Sequence, residues 1–302
     1  MINHVVELAN KPAKLSVRHR QLVIKMGEEP EVTLPLAELA VLIAANPCIT
    51  LTQPVLAGLA EAGAVCVICD ATSRPVGTMF PLVNHHIQTE RLAAQAQASL
   101  PTRKRLWQQI VRSKIQSQAG VLQELHGRDY GLARLAARVR SGDTSNVEAM
   151  ASRRYWRHLF QDRTFRRDPD RNDQNRFLNY GYAILRAVTA RAITGAGLHP
   201  SLGIHHHNRY NPFCLADDLM EPFRPRVDLL VVGLLREFPA DAELTPEVKS
   251  RLLRFLEERY FLEGESRTLF DALSRIAASL ADVFLKKRRD LLLPDWNCHA
   301  SR

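Results

Sequence analysis

Acidic and histidine side chains that could hold a divalent metal ion occur in three segments of the second half of the chain. These are SGDTSNVEAMASRRYW, with Glu148; GIHHHNRYNPF, with three consecutive histidines; and LADDLMEPFRPRVD, with Asp218 and Glu221. Two carboxylates and one imidazole form a mixed oxygen and nitrogen ligand set that leaves positions for water and phosphate, and therefore suits Mg2+ or Mn2+. Such an ion polarises a phosphoryl oxygen and orients an attacking hydroxyl group. If the three segments fold together, they predict phosphodiester chemistry.

Each segment by itself also has a simpler interpretation. Asp143, Thr144 or Ser145 can cap a helix that begins near Glu148, and a carboxylate in its first turn complements the helix dipole. In LADDLMEPFRPRVD, Asp217 or Asp218 can cap a second helix whose remaining charges lie on the surface. Asp218 and Glu221 are three residues apart and would share one face of a helical turn. Only a short connection separates them from the histidines.

The histidine segment contains too much proline, asparagine and glycine for a regular helix. Successive side chains of an extended segment point to opposite sides, so His206 would face away from His205 and His207. Three adjacent imidazoles cannot all bind one ion. Taken alone, this segment is equally consistent with a metal site and with a polar surface loop. Either His206 or its two neighbours would therefore face the site.

The balance of charge indicates a polyanionic partner. Lys plus Arg number 41 against 32 Asp plus Glu, which gives a net charge of +9 and favours nucleic acid. One segment, which also contains Tyr155 and Trp156, is rich in arginine: Arg153, Arg154, Arg157, Arg163, Arg166, Arg167, Arg171 and Arg176. Arginine interleaved with aromatic residues suits phosphate contacts and base stacking, although nearby aspartates are also consistent with a solvated face.

The elements that must position these residues change type along the chain. Up to about residue 82 the sequence contains short β-rich segments such as LSVRHRQLVIKM and AVCVICD, with one helix-like segment, VLAGLAEAG. From Ile87 onward, apolar residues recur every three or four positions, as in helices. We therefore predict an α+β protein: a small N-terminal β-rich domain over residues 1–84, followed by a larger all-α domain over 85–302. The tail after Pro294 is predicted to be unstructured.

Composition excludes several other classes of protein. No apolar run approaches the roughly 20 residues of a membrane span, and the N-terminal segment lacks the pattern of a secretory signal. The cysteines number five, at irregular spacing, which does not resemble a disulfide framework. Cys66 and Cys69 form a C-x-x-C inside an apolar run and are interpreted as core residues of a strand. We expect a cytoplasmic protein with reduced thiols.

The three segments resemble the CRISPR-associated integrase and endonuclease family, which acquires new spacers. The similarity runs through GDTSNVEAMASRRYW, FLNYGYAILRA and GLHPSLGIHHHNRYNPFCLADDLMEPFRP, in the family's order and spacing, and more loosely through VTLPL, ITLTQPVLAGLAEAGAVCVICD and RPVG in the first domain. The form YNPF followed by DLMEPFRP resembles the type II branch.

The resemblance implies a metal-binding and catalytic triad of Glu148, His206 and Glu221. The family pattern of glycine, two positions and then histidine places the ligand at His206, with His205 as the alternative. Asp218 is expected to support the site as a second carboxylate. Residues expected to shape its surroundings are Tyr155, Asn179 and Tyr180.

The resemblance also implies the partners and the reaction. The chain is expected to form a homodimer through its N-terminal domains, and two such dimers would flank a dimer of the small second CRISPR adaptation protein in a heterohexamer. The substrates would be double-stranded DNA, namely the spacer precursor and the CRISPR repeat, and the cofactor Mg2+ or Mn2+. A 3'-hydroxyl of the spacer would attack the repeat by transesterification. Competing hypotheses are a non-catalytic basic DNA-binding protein and a zinc hydrolase built on the histidines.

Overall fold

The computed structural model describes residues 3–70, 75–162 and 164–296 of the chain. They form two compact units, divided after Gln88. The first is rich in strands and the second in helices, so the predicted α+β class is confirmed. The assignment of dimerisation to residues 1–84 and of catalysis to residues 85–302 stays a prediction.

The first unit contains two four-stranded sheets. One has the order β1-β5-β7-β8, in which β1, β5 and β7 are parallel and β8 is antiparallel to β7. The other has the order β4-β3-β2-β6, with β6 parallel to β2. The strands are β1 His4–Leu8, β2 Ala13–Arg18, β3 Gln21–Lys25, β4 Val32–Pro35, β5 Leu39–Ala44, β6 Ile49–Leu51, β7 Val65–Cys69 and β8 Pro75–Met79.

A buried apolar core holds the first unit together, and it includes Leu15, Leu42 and Leu59. Leu59 belongs to helix α1 (Gln53–Glu61), which precedes Gly63. Gly63 has φ +67°, a left-handed conformation that glycine adopts without steric cost after a helix. Cys66 lies in the buried strand β7 as the apolar run predicted, and burial raises the pKa of its thiol to about 11.

Helices make up most of the second unit. They are α2 Gln88–Ala96, α3 Leu100–His126, α4 Leu132–Arg138, α5 Val147–Leu159, α6 Asn175–Gly195, α7 Cys214–Met220, α8 Arg224–Leu234, α9 Pro246–Leu252 and α10 Leu269–Phe284. A 3-10 turn, Glu221–Phe223, joins α7 to α8. The prediction of an all-α unit is corrected in one place, because Arg259–Leu262 and Glu265–Thr268 pair as an antiparallel hairpin, β9 and β10.

Helix α3 is the element around which the site is built. Its 27 residues begin after Ser99, whose hydroxyl accepts a hydrogen bond from the Thr102 amide, and end before Gly127 at φ +69°. It contacts α4, α5 and α8. The prediction that the chain is unstructured after Pro294 is wrong for Trp296, which is 7% exposed and donates from its indole nitrogen to Ser113 Oγ at 2.7 Å. Residues 297–302 lie outside the described residues.

No helix among the described residues is both long enough and apolar enough to cross a membrane.

Candidate metal centre

Glu148 lies in the first turn of α5, where Asp143 fixes its position. The Asp143 carboxylate accepts hydrogen bonds from the backbone amides of Val147 and Glu148, both at 2.9 Å. Of the three capping residues that the sequence offered, Asp143 therefore provides the cap. Asn146 precedes the helix at φ +51°, a left-handed conformation in which asparagine is enriched. The local sequence thus explains how the Glu148 side chain is placed.

The histidine segment is tied to α7 by one buried carboxylate. Asp218 is fully buried, and its Oδ2 accepts from the backbone amides of Ile204 at 2.6 Å and His205 at 2.9 Å. Its Oδ1 lies 2.6 Å from Nδ1 of the His206 ring and accepts from the His206 amide at 3.3 Å. These hydrogen bonds to Asp218 stabilise the histidine segment, which has no regular secondary structure. The expected second carboxylate is therefore present and holds the histidine.

The three histidines have different surroundings. The His205 ring stacks on Trp107 with the ring centres 4.1 Å apart and the planes within 3°. The His206 ring meets the same indole edge-on at 5.7 Å, and His207 is exposed. Because Asp218 can only accept, the His206 Nδ1 carries the proton, and the lone pair on Nε2 is left for a ligand. The hydrogen bond to Asp218 raises the pKa of His206, against the effect of burial.

Glu148 and Glu221 meet at the side chain of Lys114, which extends from α3. Its Nζ lies 2.6 Å from Glu148 Oε1 and 2.6 Å from Glu221 Oε2. The other oxygen of Glu221 lies 2.9 Å from Arg224 Nε. Burial alone would raise the pKa of Glu221, but Arg224 and Lys114 outweigh it and lower that pKa to about 2. Glu221 is therefore ionised at neutral pH although its side chain is only 7% exposed.

A second buried carboxylate network lies beside Arg224. Asp228 accepts hydrogen bonds from the hydroxyl groups of Tyr155, at 2.9 Å, and of Tyr182. Burial raises the pKa of Asp228 to about 7, although both tyrosines oppose the shift. The Arg224 guanidinium lies 4.7 Å over the Tyr182 ring. Tyr155, which the resemblance placed near the site, is thus connected to it through Asp228.

The arginine-rich segment is divided between the surface and the interior. Arg153, Arg154 and Arg157 are exposed on α5, on the helix that carries Glu148. Arg167 instead turns inward and donates to Asn175 Oδ1 at 2.9 Å and Asn179 Oδ1 at 2.7 Å. Phosphate binding by the exposed arginines stays a prediction, Arg163 lies outside the described residues, and Arg167 braces the start of α6.

Tyr180 and Asn179 support the surroundings in different ways. Tyr180 is buried, and the Lys249 ammonium lies 5.7 Å from its ring centre. Asn179 also donates from Nδ2 to the Pro169 carbonyl at 2.8 Å. Both residues therefore contribute to the packing of α6.

The structure brings the three predicted metal ligands together only in part. Glu148 and Glu221 share one ammonium group, and His206 is paired with Asp218. Across residues 3–70, 75–162 and 164–296, no three His, Cys, Asp or Glu side chains are already arranged to hold a metal ion. Lys114 and its two contacts were not predicted from the sequence. The signal was available, because Lys114 lies on the buried face of α3 with Val111 and Gln118, where a charged side chain needs a partner.

The sequence of this chain is similar to the sequences of known proteins. Residues 7–244 match the family model described as CRISPR associated protein Cas1. The chain is 40% identical over 292 residues to a CRISPR-associated endonuclease Cas1 of Neisseria meningitidis serogroup C, covering 95% of each chain.

Two solved structures share the fold. One is a casposase bound to integration product, with a TM-score of 0.79 and 21% identity over 96% of this chain and 92% of that one. The other belongs to a Cas6-RT-Cas1–Cas2 complex, with a TM-score of 0.68 and 21% identity over 95% of this chain and 35% of that one.

Proposed function

Because this chain belongs to the family of CRISPR associated protein Cas1, we propose that it is a metal-dependent DNA endonuclease and integrase that inserts spacer DNA into a CRISPR array. One observation carries the proposal. Glu148 of α5 and Glu221 of the turn between α7 and α8 both contact the ammonium group of Lys114. The 40% identical relative is named an endonuclease, and a structural neighbour is a casposase bound to integration product.

The residues present fit Mg2+ or Mn2+. The carboxylates of Glu148 and Glu221 already contact one positive charge, because an oxygen atom of each lies 2.6 Å from the Lys114 ammonium nitrogen. Nε2 of His206 would complete a set of two carboxylates and one imidazole, which suits these ions better than zinc. The stacking of His205 on Trp107 favours His206 as the ligand. When bound, the ion would polarise the scissile phosphate and favour deprotonation of the attacking hydroxyl.

The chain's own residues have distinct roles in this proposal. Glu148, His206 and Glu221 are the metal ligands, and Asp218 holds the His206 ring in the orientation and protonation state that a ligand requires. Arg224 keeps Glu221 ionised. The exposed arginines of α5 contact DNA phosphates.

The reaction exchanges one phosphodiester bond for another. The 3'-hydroxyl oxygen of the spacer attacks the phosphorus atom at an end of the repeat, a new P–O bond forms, and the bond from that phosphorus to the 3' oxygen of the target strand breaks. The proton lost by the attacking hydroxyl is balanced by the one gained by the leaving oxygen. Water as the nucleophile gives cleavage, which accounts for endonuclease activity at the same residues.

The proposed assembly is a homodimer, two of which bind a dimer of the small second CRISPR adaptation protein on double-stranded DNA. Its support is the shared fold with a chain of a Cas6-RT-Cas1–Cas2 complex and the net charge of +9, which suits DNA.

The test combines the purified protein and its small partner with a short duplex bearing free 3'-hydroxyls and a supercoiled plasmid that carries a leader and repeat. Nicked and joined products should require Mn2+ or Mg2+ and should disappear in Glu148→Gln, Glu221→Gln and His206→Ala. His207→Ala is the matched control, because Nδ1 of His207 lies 2.6 Å from the His206 carbonyl oxygen whereas that of His206 faces Asp218, and it should retain the products.

Other outcomes have defined meanings. Loss of products in His205→Ala with retention in His206→Ala would move the ligand to His205. DNA binding without products under any metal would favour the non-catalytic DNA-binding protein. Tightly bound zinc in the active preparation would favour a zinc hydrolase.

A further inference from the structure

The Lys114 ammonium uses the same carboxylate oxygens that a divalent ion would need. It lies between Glu148 Oε1 and Glu221 Oε2 at 2.6 Å from each, with its own side chain only 13% exposed. The two carboxylates beside the ammonium compensate the removal of its charge from water.

Glu221 has no oxygen without a cation beside it. Oε2 lies against Lys114, and Oε1 lies 2.9 Å from Arg224 Nε. An ion bound through this carboxylate must therefore share with, or displace, one of the two side chains. Arg224 has further contacts, at 3.8 Å from Asp217 Oδ1 and over the ring of Tyr182. Lys114, on a flexible four-carbon stem, is the side chain more easily released.

The helix that carries Lys114 also carries a buried acceptor without a donor, beside a cavity. A cavity of about 200 Å³ is lined by Lys114, Glu221, Gln118 and Asp228, among others. Gln118 is one helical turn after Lys114 on α3 and only 3% exposed. Its Oε1 is buried and accepts no hydrogen bond from the described residues. A buried acceptor without a donor destabilises the folded protein, so an ammonium turned toward Gln118 would remove that penalty.

We propose that Lys114 is a displaceable counter-ion: it holds Glu148 and Glu221 together before the metal ion binds, and moves toward Gln118 when the ion arrives. The proposal rests on the metal site of the proposed function and adds a residue that competes with the metal. The Lys114 side chain therefore lowers the affinity for the metal ion and, in the absence of metal, keeps the two carboxylates in place.

The test measures Mn2+ binding by isothermal titration calorimetry. Lys114→Met keeps the length of the side chain but removes its charge, and should bind Mn2+ at least about tenfold more tightly, since one charge-assisted contact no longer competes. Lys114→Arg retains the charge and should not bind more tightly. Lys104→Met is the matched control, because Lys104 is exposed on the same helix, and should bind as the wild type does.

Two further measurements do not depend on the titration. Without metal, Lys114→Met should unfold at a lower temperature than the wild type, because the carboxylates repel each other, and Mn2+ should raise that temperature more than it does in the wild type. A crystal structure of the wild type with Mn2+ should place Nζ away from both carboxylates and toward Gln118.

The results that overturn the inference differ from those that overturn the proposed function. Unchanged or weaker Mn2+ binding in Lys114→Met, together with loss of binding in Glu148→Gln, removes the counter-ion role alone. An Nζ that stays between the carboxylates beside bound Mn2+ does the same. Equal Mn2+ binding in the wild type, Lys114→Met and Glu148→Gln removes the metal site itself.

Discussion

Replacing Asp218 by asparagine should move the proton of the His206 ring from Nδ1 to Nε2 while keeping the size of the residue 218 side chain. Asp218 accepts three backbone amides and faces His206 Nδ1 at 2.6 Å. The amide of asparagine has one acceptor and one donor, so its oxygen can keep the Ile204 and His205 bonds while its NH2 group faces His206. The imidazole nitrogen Nδ1 must then accept a hydrogen bond, which moves the ring proton to Nε2 and removes the lone pair that a metal ion needs.

The size of the effect follows from these contacts. Loss of the charge-assisted bond to His206 should cost about 2 kcal/mol of folding free energy. For a domain of this size that corresponds to a fall of about 4–8 °C in unfolding temperature. Residues that orient a histidine ligand typically account for about 10–100-fold in metal affinity or activity. We therefore expect Asp218→Asn to lose at least tenfold in joining rate.

The assay pairs plasmid joining in Mn2+ with calorimetric unfolding of the same preparations. Asp271→Asn is the control, because Asp271 forms partly exposed ion pairs with Arg267 and Arg275, which contribute about 1 kcal/mol or less. If Asp218→Asn joins DNA within twofold of the wild type, the carboxylate does not set the protonation state of His206, and the reasoning fails.

Gly203→Ala would place a methyl carbon 2.3 Å from the His206 carbonyl oxygen, so the histidine segment must shift, and the joining rate should fall about a hundredfold; Gly195→Ala, whose added carbon meets nothing within 4 Å, should join as the wild type does. Asp228 has a pKa raised to about 7, so the folded protein holds its proton more tightly than the unfolded chain, and its contribution to stability is lost as the pH rises from about 4 to 7. Asp228→Asn should remove that decline. In urea unfolding at pH 5, 6 and 7, its free energy of unfolding should rise relative to that of the wild type by about 1.4 kcal/mol per pH unit. A difference between the two proteins that stays the same at all three pH values would contradict this prediction. Asp143→Ala removes two bonds to the start of α5 at a residue with φ +47° and should lower the free energy of unfolding by about 2 kcal/mol in the same assay, whereas no change would show that the cap is dispensable.

Local rules predicted the parts of the site that depend on neighbouring residues. The change from strands to helices along the chain and the cap at the start of α5 follow from short-range geometry. The prediction that His206 faces away from His205 is wrong, because both rings contact Trp107, although only the His206 ring reaches Asp218. The α10 helix over Leu269–Phe284 likewise follows from its apolar spacing.

Long-range contacts were beyond the same rules. Lys114 precedes Glu148 by 34 positions, and no local pattern specifies that their helices cross at that point. The β9–β10 hairpin was missed because its strands have only four residues each, too few to show alternation. The packing of Trp296 was missed because proline suggested a loop, whereas a buried indole outweighs the local preference.

The hydrogen bond from Trp296 to Ser113 has a consequence for biosynthesis. Ser113 is the neighbour of Lys114 in α3, and its indole partner leaves the ribosome almost 150 residues after Glu148. The helix that carries Lys114 therefore reaches its final packing only when nearly the whole described chain has been made. We expect a nascent or truncated chain to contain all three proposed ligands before α3 has reached its final packing.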